Sequence, residues 1–249
     1  MSFSVRGDLE ESAANRRRAP RESLWGHLPL SGALSTIAVL AALASAPDKA
    51  VPVEEEPRHK TVLKNDYVQA FRVTLAPGES SLTHIHAHDD GAVRLGEATM
   101  TSDVPGQPPG APEVMHPGQV SARTNEPHPH THRVNNIGTT LFDVIDVQIL
   151  KRPPGPATPA ITTPAAENPQ MRVYRYELAQ GAASPQHTHE RPYLVVAATD
   201  LNLRMTSPDG ASMAHPIKAG DLHWVEAKVT HALINEGAER GVIVEFEVK

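Results

Sequence analysis

An all-β chain built from two tandem sandwiches or barrels is what this sequence predicts. Three observations predict it: a stretch of the first half recurs in the second, strand-like alternating runs border each copy, and no window beyond residue 46 sustains an amphipathic helix. The length of 249 residues accommodates two domains comfortably. The recurring stretch is NDYVQAFRVTLAPGESSLTHIH, residues 65–86, which aligns without gaps on NPQMRVYRYELAQGAASPQHTH, residues 168–189. Asn65, Arg72, Leu75, Ala76, Gly78, Ser81, His84 and His86 are repeated as Asn168, Arg175, Leu178, Ala179, Gly181, Ser184, His187 and His189. Further on, Met100-Thr101-Ser102 answers Met205-Thr206-Ser207, and His132, Asn136 and Gly138 answer His231, Asn235 and Gly237.

Within the copies, Val68 to Leu75, Leu141 to Leu150, Met171 to Leu178 and Gly241 to Val248 read as strands, rich in β-branched residues and punctuated by glycine, proline and aspartate. The first copy carries extra residues after Ser102 where the second has the short Ser207-Pro208-Asp209-Gly210 turn, so the insertion falls at a hairpin tip. The copies occupy residues 51–151 and 171–249. Between them, residues 152–170 carry six prolines and read as a semi-extended linker or a strand-flanking arm.

Residues 1–46 read as an export segment. Arg16, Arg17 and Arg18 precede an apolar run from Leu28 to Ala46, and Ala44-Ser45-Ala46 offers a small-x-small cleavage site before Pro47. The expected location is periplasmic or extracellular. The alternative is an uncleaved anchor, since residues 28–46 would reach about 28 Å as a helix, near the thickness of a bilayer core.

Composition narrows the chemistry. With 23 basic against 29 acidic side chains and few aromatic residues, no surface is indicated that would neutralise phosphates or stack bases, so nucleic acid is excluded as a partner. The absence of cysteine removes disulfides, thiolate nucleophiles, Cys-ligated zinc and iron–sulfur clusters. Imidazole and carboxylate remain, and fourteen histidines make imidazole the informative group. Residues two apart on a strand share a face, so His84 with His86, and His187 with His189, each present a pair of imidazoles. His132 and His231 add a third from a distant strand, which makes a facial three-nitrogen cap that leaves metal positions open.

Gly78-x5-His84-x-His86 with His132-x3-Asn136, and Gly181-x5-His187-x-His189 with His231-x3-Asn235, resemble the two signature motifs of the cupin superfamily. Their tandem arrangement is similar to a bicupin. The resemblance implies a double-stranded β-helix, or jelly-roll barrel, in each copy. It also implies a divalent metal (iron, manganese or zinc) inside each barrel, held by three histidines and commonly a glutamate. Carried over, the histidines are His84, His86 and His132, and His187, His189 and His231.

That glutamate is missing after both histidine pairs. In the first copy the corresponding residue is Asp90, whose parity matches His84 and His86, so Asp90 is the expected fourth ligand. Asp89 replaces it if a bulge near Gly91 shifts the register, and two solvated turn aspartates are the alternative. In the second copy the residue is Tyr193, which predicts a bare three-histidine site. Arg191 and Tyr193, inward by parity, are expected to meet an anionic substrate or to bond one another. His128 and His130 are expected on a wet barrel rim, and His189-Glu190-Arg191-Pro192-Tyr193 lacks the second histidine of a helical zinc motif.

Two functional classes fit: an exported metal-dependent oxygenase or related enzyme acting on a small anionic or enolic substrate, and a non-catalytic exported binder of metal or small ligand. A small molecule is the expected partner of either, the membrane enters only through an uncleaved anchor, and a homo-oligomer is compatible with both.

Overall fold

The computed structural model describes residues 49–249. Residues 1–46, read above as an export segment, therefore lie outside the described residues, among which no helix is long and apolar enough to cross a membrane.

The first copy forms β1 (Val51–Pro52), β2 (His59–Lys64), β3 (Val68–Leu75), β4 (His84–His86), β5 (Asp90–Arg94), β6 (Ala98–Asp103), β7 (Glu113–Met115), β8 (Val120–Arg123), β9 (His130–Asn136) and β10 (Phe142–Ile149). The second forms β11 (Ala166–Glu167), β12 (Met171–Leu178), β13 (His187–His189), β14 (Tyr193–Ala197), β15 (Leu201–Thr206), β16 (Ser212–Ile217), β17 (Leu222–Val225), β18 (Val229–Asn235) and β19 (Gly241–Val248). Among the described residues a 3-10 turn at Val53–Glu55 is the single helical element, as the lack of 3.6-residue periodicity predicts.

Each copy wraps two sheets around one interior. In the first they run β1-β4-β9-β6-β7 and β2-β3-β10-β5-β8; in the second, β13-β18-β15-β16 and β11-β12-β19-β14-β17. The last long strand returns between earlier ones, β10 between β3 and β5 and β19 between β12 and β14, which is the Greek-key path of a jelly roll. The inserted residues of the first copy fall in the β6–β7 hairpin, whose counterpart β15–β16 has a short turn.

The repeated glycine and asparagine set the geometry just before the histidine strands. Gly78 and Gly181 have φ of 80° and 71°, a left-handed backbone that side chains disfavour, and their N–H groups donate to the carbonyls of Asn136 and Asn235. The Asn136 amide donates to the Leu75 and Thr140 carbonyls, and Asn235 does the same at Leu178 and Glu239. These residues clamp three chain segments in each barrel and so fix where β4 and β13 begin.

β10 and β19 are buried along their whole length. Their inner faces fill the barrels, while Ile145, Val147 and Ile149 on one and Val244, Phe246 and Val248 on the other join Val68, Ala70, Met171 and Leu194 in one core between the copies. Gly91 belongs there because a Cβ at that position would lie 2.5 Å from Met171 Sδ and 3.2 Å from the Phe246 ring. The proline-rich segment runs as an arm along the second copy: Arg172 donates to the Thr158 carbonyl, and the Ile161 N–H donates to the Tyr174 hydroxyl.

Candidate metal centres

In the second barrel β13 is three residues long and turns both histidines inward. It pairs antiparallel with β18 so that His187 lies directly opposite His231, their ring centroids 4.4 Å apart. Each β13 imidazole is anchored through Nδ1, His187 to the Pro185 carbonyl (2.8 Å) and His189 to Glu247 (2.9 Å), which aims Nε2 at the barrel centre.

A carboxylate meets them there. Glu245, fully buried on β19 in the facing sheet, places Oε2 at 3.2 Å from His187 Nε2 and 3.4 Å from His189 Nε2, and Oε1 at 3.4 Å from His231 Nε2. The expectation of a bare three-histidine site is thus corrected: the carboxylate absent from the histidine motif arrives from the last strand. Burial works against the charged form of Glu245, but the close approach of the His187, His189 and His231 imidazoles outweighs it, holding the carboxyl at about 2. Burial pulls His231 down to about 4, so that imidazole is neutral at pH 7.

Tyr193 is inward, as parity predicts. Its ring stacks on His189 at 3.6 Å between centroids, and its hydroxyl lies 3.0 Å from His231 Nε2. Arg191 is not beside it in the site: Nε and Nη2 both donate to the Gly155 carbonyl of the arm, at 3.2 and 2.7 Å. Residues 190–192 lie outside β14, so strand parity counted back through Pro192 does not carry to the arginine side chain. A cavity of about 230 Å³ at the barrel mouth, lined by Met205, Met213, Val229 and Thr230 among others, reaches the site at His231.

The first barrel repeats the scaffold with different donors. β4 faces β9 with His84 opposite His132 and His86 opposite His130. His84 Nδ1 bonds the Leu82 carbonyl at 2.9 Å, the counterpart of His187 on Pro185, and the two Nε2 atoms of His84 and His86 lie 3.1 Å apart. His132 donates or accepts at Ser102 Oγ (2.7 Å) through Nδ1, and its ring is 4.6 Å from that of His84. His59, on β2 and outside both motifs, joins them with its ring 4.5 Å from His84, and the donor atoms of His59, His84 and His86 fall within 4.8 Å of one another.

Asp90 points inward, with Asp146 of β10 beside it. Both approach His86 from its Nδ1 edge, at 3.3 and 3.6 Å, and with it they form a second donor group. Asp89 instead turns away and accepts the backbone N–H groups of Asn125 and Glu126. Burial, and then each carboxylate's repulsion of its neighbours, raises Asp90 to about 8, while burial raises Asp146 to about 7. Burial likewise lowers His84 to about 4 and His132 to about 2. His128 is exposed and His130 half-buried beside His132, 4.6 Å between rings. A cavity of about 130 Å³ is lined by His59, His84, His86, His132, Asp90 and Asp146, and also by Arg94 and Arg123.

Buried polar atoms without partners mark both centres. In the second barrel they are Nε2 of His187 and His189 and both oxygens of Glu245; in the first they include Nδ1 of His86, Nε2 of His132 and Oδ2 of Asp146. Leaving such groups unpaired is costly, and one cation would satisfy a converging set of them. Both sets fit a divalent metal, the second through imidazole and carboxylate together, the first through an imidazole group with the Asp90 and Asp146 carboxylates on its far edge.

No protein-family model matches this chain. It is 36% identical over 90 residues, 36% of its own length and 94% of the relative's, to the β-alanine degradation protein BauB of Pseudomonas aeruginosa. Among solved structures, AerE of Microcystis aeruginosa is similar over 78% of this chain and 98% of AerE, with 11% identity and a TM-score of 0.52. A salicylate 1,2-dioxygenase variant of Pseudoaminobacter salicylatoxidans, in complex with gentisate, is similar over 79% of this chain and 76% of the enzyme, with 13% identity and a TM-score of 0.52. At these identities the two structures speak to the fold alone.

Proposed function

Because this chain belongs to the cupin superfamily and carries two of its barrels in tandem, we propose that it is a metal-dependent enzyme of small organic anions, with the first barrel as its reaction chamber. One observation carries the reading: in the first barrel the histidine cluster opens onto the same cavity as Arg94, whose buried Nε has no partner while Nη1 is tied to Ser121 at 2.6 Å. An iron, manganese or zinc ion held there would supply a Lewis acid and open coordination positions. Arg94 and Arg123 would orient a carboxylate or enolate by charge-assisted hydrogen bonds, and Ser102 would hold the His132 ring in place. The likeness to BauB, a β-alanine degradation protein, supports a small carboxylate as substrate, and oxygen activation at the open metal positions is the reaction class proposed for it.

A specific observation favours a second role for the second barrel. His189 and Glu245 are fully buried there, and the apolar mouth cavity touches the centre at His231 alone among the four donors. A closed four-donor set suits a structural metal. The order of charge, apolar run and small residues in residues 16–46 supports export to the periplasm or beyond, with a membrane anchor as the alternative.

The test is elemental analysis of purified protein together with oxygen uptake on a panel of small carboxylates. Two metal equivalents and turnover on one acid are expected. Full metal with no turnover on any acid would favour the non-catalytic binder.

A further inference from the structure

Resting on the reading that the first barrel holds a metal, we infer that His59 is a fourth imidazole ligand of that metal, held in place by Glu56, so that the first site is all-nitrogen where the second carries a carboxylate. The dyad has the construction of an outer-shell carboxylate behind a ligating histidine. Glu56 Oε2 accepts His59 Nδ1–H at 2.6 Å together with the N–H groups of Arg58 and His59, and Oε1 accepts the Leu82 N–H. Nδ1 is thereby occupied, and Nε2 is left as the lone-pair donor beside His84 and His86.

The dyad is tied to the motif itself. Leu82, whose N–H bonds Glu56, also gives the carbonyl that anchors His84, and β1 pairs with β4 in the register Val51 to His84. His59 lies opposite Val73 on β3, a small side chain that leaves room for the imidazole. In the second copy the residue matching Val73 is Tyr176, which fills that space by stacking on His187 at 5.8 Å, and no histidine precedes it in the arm. The fourth donor there is Glu245, whose counterpart Asp146 is one methylene shorter and faces the Nδ1 edge of His86 instead. Each barrel thus solves the missing motif glutamate differently.

The probe is Cu(II), which favours nitrogen donors, added to the metal-free full-length chain carrying His231→Ala so that the first barrel is the intact site. Copper electron paramagnetic resonance is expected to show coupling to four nitrogens. His59→Phe should lower the nitrogen count and weaken copper by on the order of 100-fold, and Glu56→Gln should weaken it by about 10-fold or more. If His59→Phe does not fold, His59→Gln replaces it with the same readouts. An unchanged nitrogen count and copper affinity in either His59 variant would overturn the assignment. Failure of the His231→Ala chain to take up copper at all would instead overturn the metal reading on which it rests.

Discussion

Glu245 and Asp146 stand at the same position of the last strand in the two copies, 99 residues apart, yet they meet opposite edges of equivalent histidines. Glu245 faces Nε2 of His189 at 3.4 Å, whereas Asp146 faces Nδ1 of His86 at 3.6 Å. The extra methylene of glutamate carries its carboxylate past the ring edge to the centre of the barrel. In the second copy the Nδ1 edge is taken over by Glu247, whose counterpart in the first copy is the uncharged Gln148.

Glu245→Gln should therefore remove one metal equivalent per chain. The amide keeps the shape of the side chain but gives up the negative charge that three converging imidazoles and a dication need. Elemental analysis before and after the substitution reads the loss directly. Retention of both equivalents would mean that Glu245 is not a ligand.

The first barrel should make the metal-free protein less stable between about pH 6.5 and 8. Asp90 and Asp146 keep their protons up to about 8 and about 7 in the folded chain, while in the unfolded chain they have lost them well below that. The folded state thus binds more protons in this window, and stability falls as pH rises through it, by on the order of a few kcal/mol. His84, His86, His132 and His231 act in the opposite sense, since their folded values are depressed; in the unfolded chain they go on losing protons up to about pH 7.5, so they offset part of the fall below that pH and almost none of it above. Urea unfolding at pH 6.5 and 8 measures the slope, and Asp90→Asn with Asp146→Asn should flatten it.

The core between the copies should unfold cooperatively with both barrels. Phe246 is fully buried from the second copy against Gly91 of the first, and cutting its ring away leaves a cavity neither sheet can close. Phe246→Ala should cost about 3–5 kcal/mol. A single urea transition shifted by that amount is expected; two separate transitions in the unaltered chain would show that the barrels are energetically independent.

The fold was largely legible in the sequence, and the reason is visible in particular residues. Four runs read as strands are β3, β10, β12 and β19, and the six motif histidines pack ring to ring in threes because His-x-His on a short strand can only face one way, although in the first barrel the donor atoms that lie within 4.8 Å of one another are those of His84 and His86 with His59. Glu245 and His59 escaped for different reasons. β19 is buried on both faces, so the acidic face of its alternation reads as solvent-facing when it is not, and Glu245 reads like any charged residue near a chain end. The signal that was available is that Glu245 and Glu247 alternate with Val244, Phe246 and Val248. His59 precedes His84 by 25 residues and is brought to it by the pairing of β2 with β3 and by the bond from the Leu82 N–H to Glu56, contacts that no local pattern announces.

Recognition of an anion should depend on Arg94 and not on Arg191. Arg94 is the last residue of β5, whereas Arg191 precedes β14, and their partners differ. Arg191 spends two of its donors on the Gly155 carbonyl and so braces the arm; its Nη1 is also buried without a partner, but the side chain lines neither cavity. Arg94 bonds Ser121 through Nη1 and leaves Nε buried and unpartnered on the wall of the first cavity, where the metal-binding histidines also open. The two arginines of that cavity more than offset Asp90 and Asp146, whose charged forms burial disfavours, so a dication added to the histidines leaves net positive charge, which an anion would neutralise. Binding of a small carboxylate should accordingly require metal. Arg94→Gln should weaken it by about 10-fold or more while leaving metal content unchanged, because a charged two-point contact contributes on the order of 1.5–3 kcal/mol. Arg191→Gln should leave carboxylate affinity unchanged and lower the urea midpoint instead. Calorimetric titration of both variants with succinate, with and without bound metal, separates the two roles: equal losses in both, or tight binding to the metal-free chain, would place the anion site elsewhere.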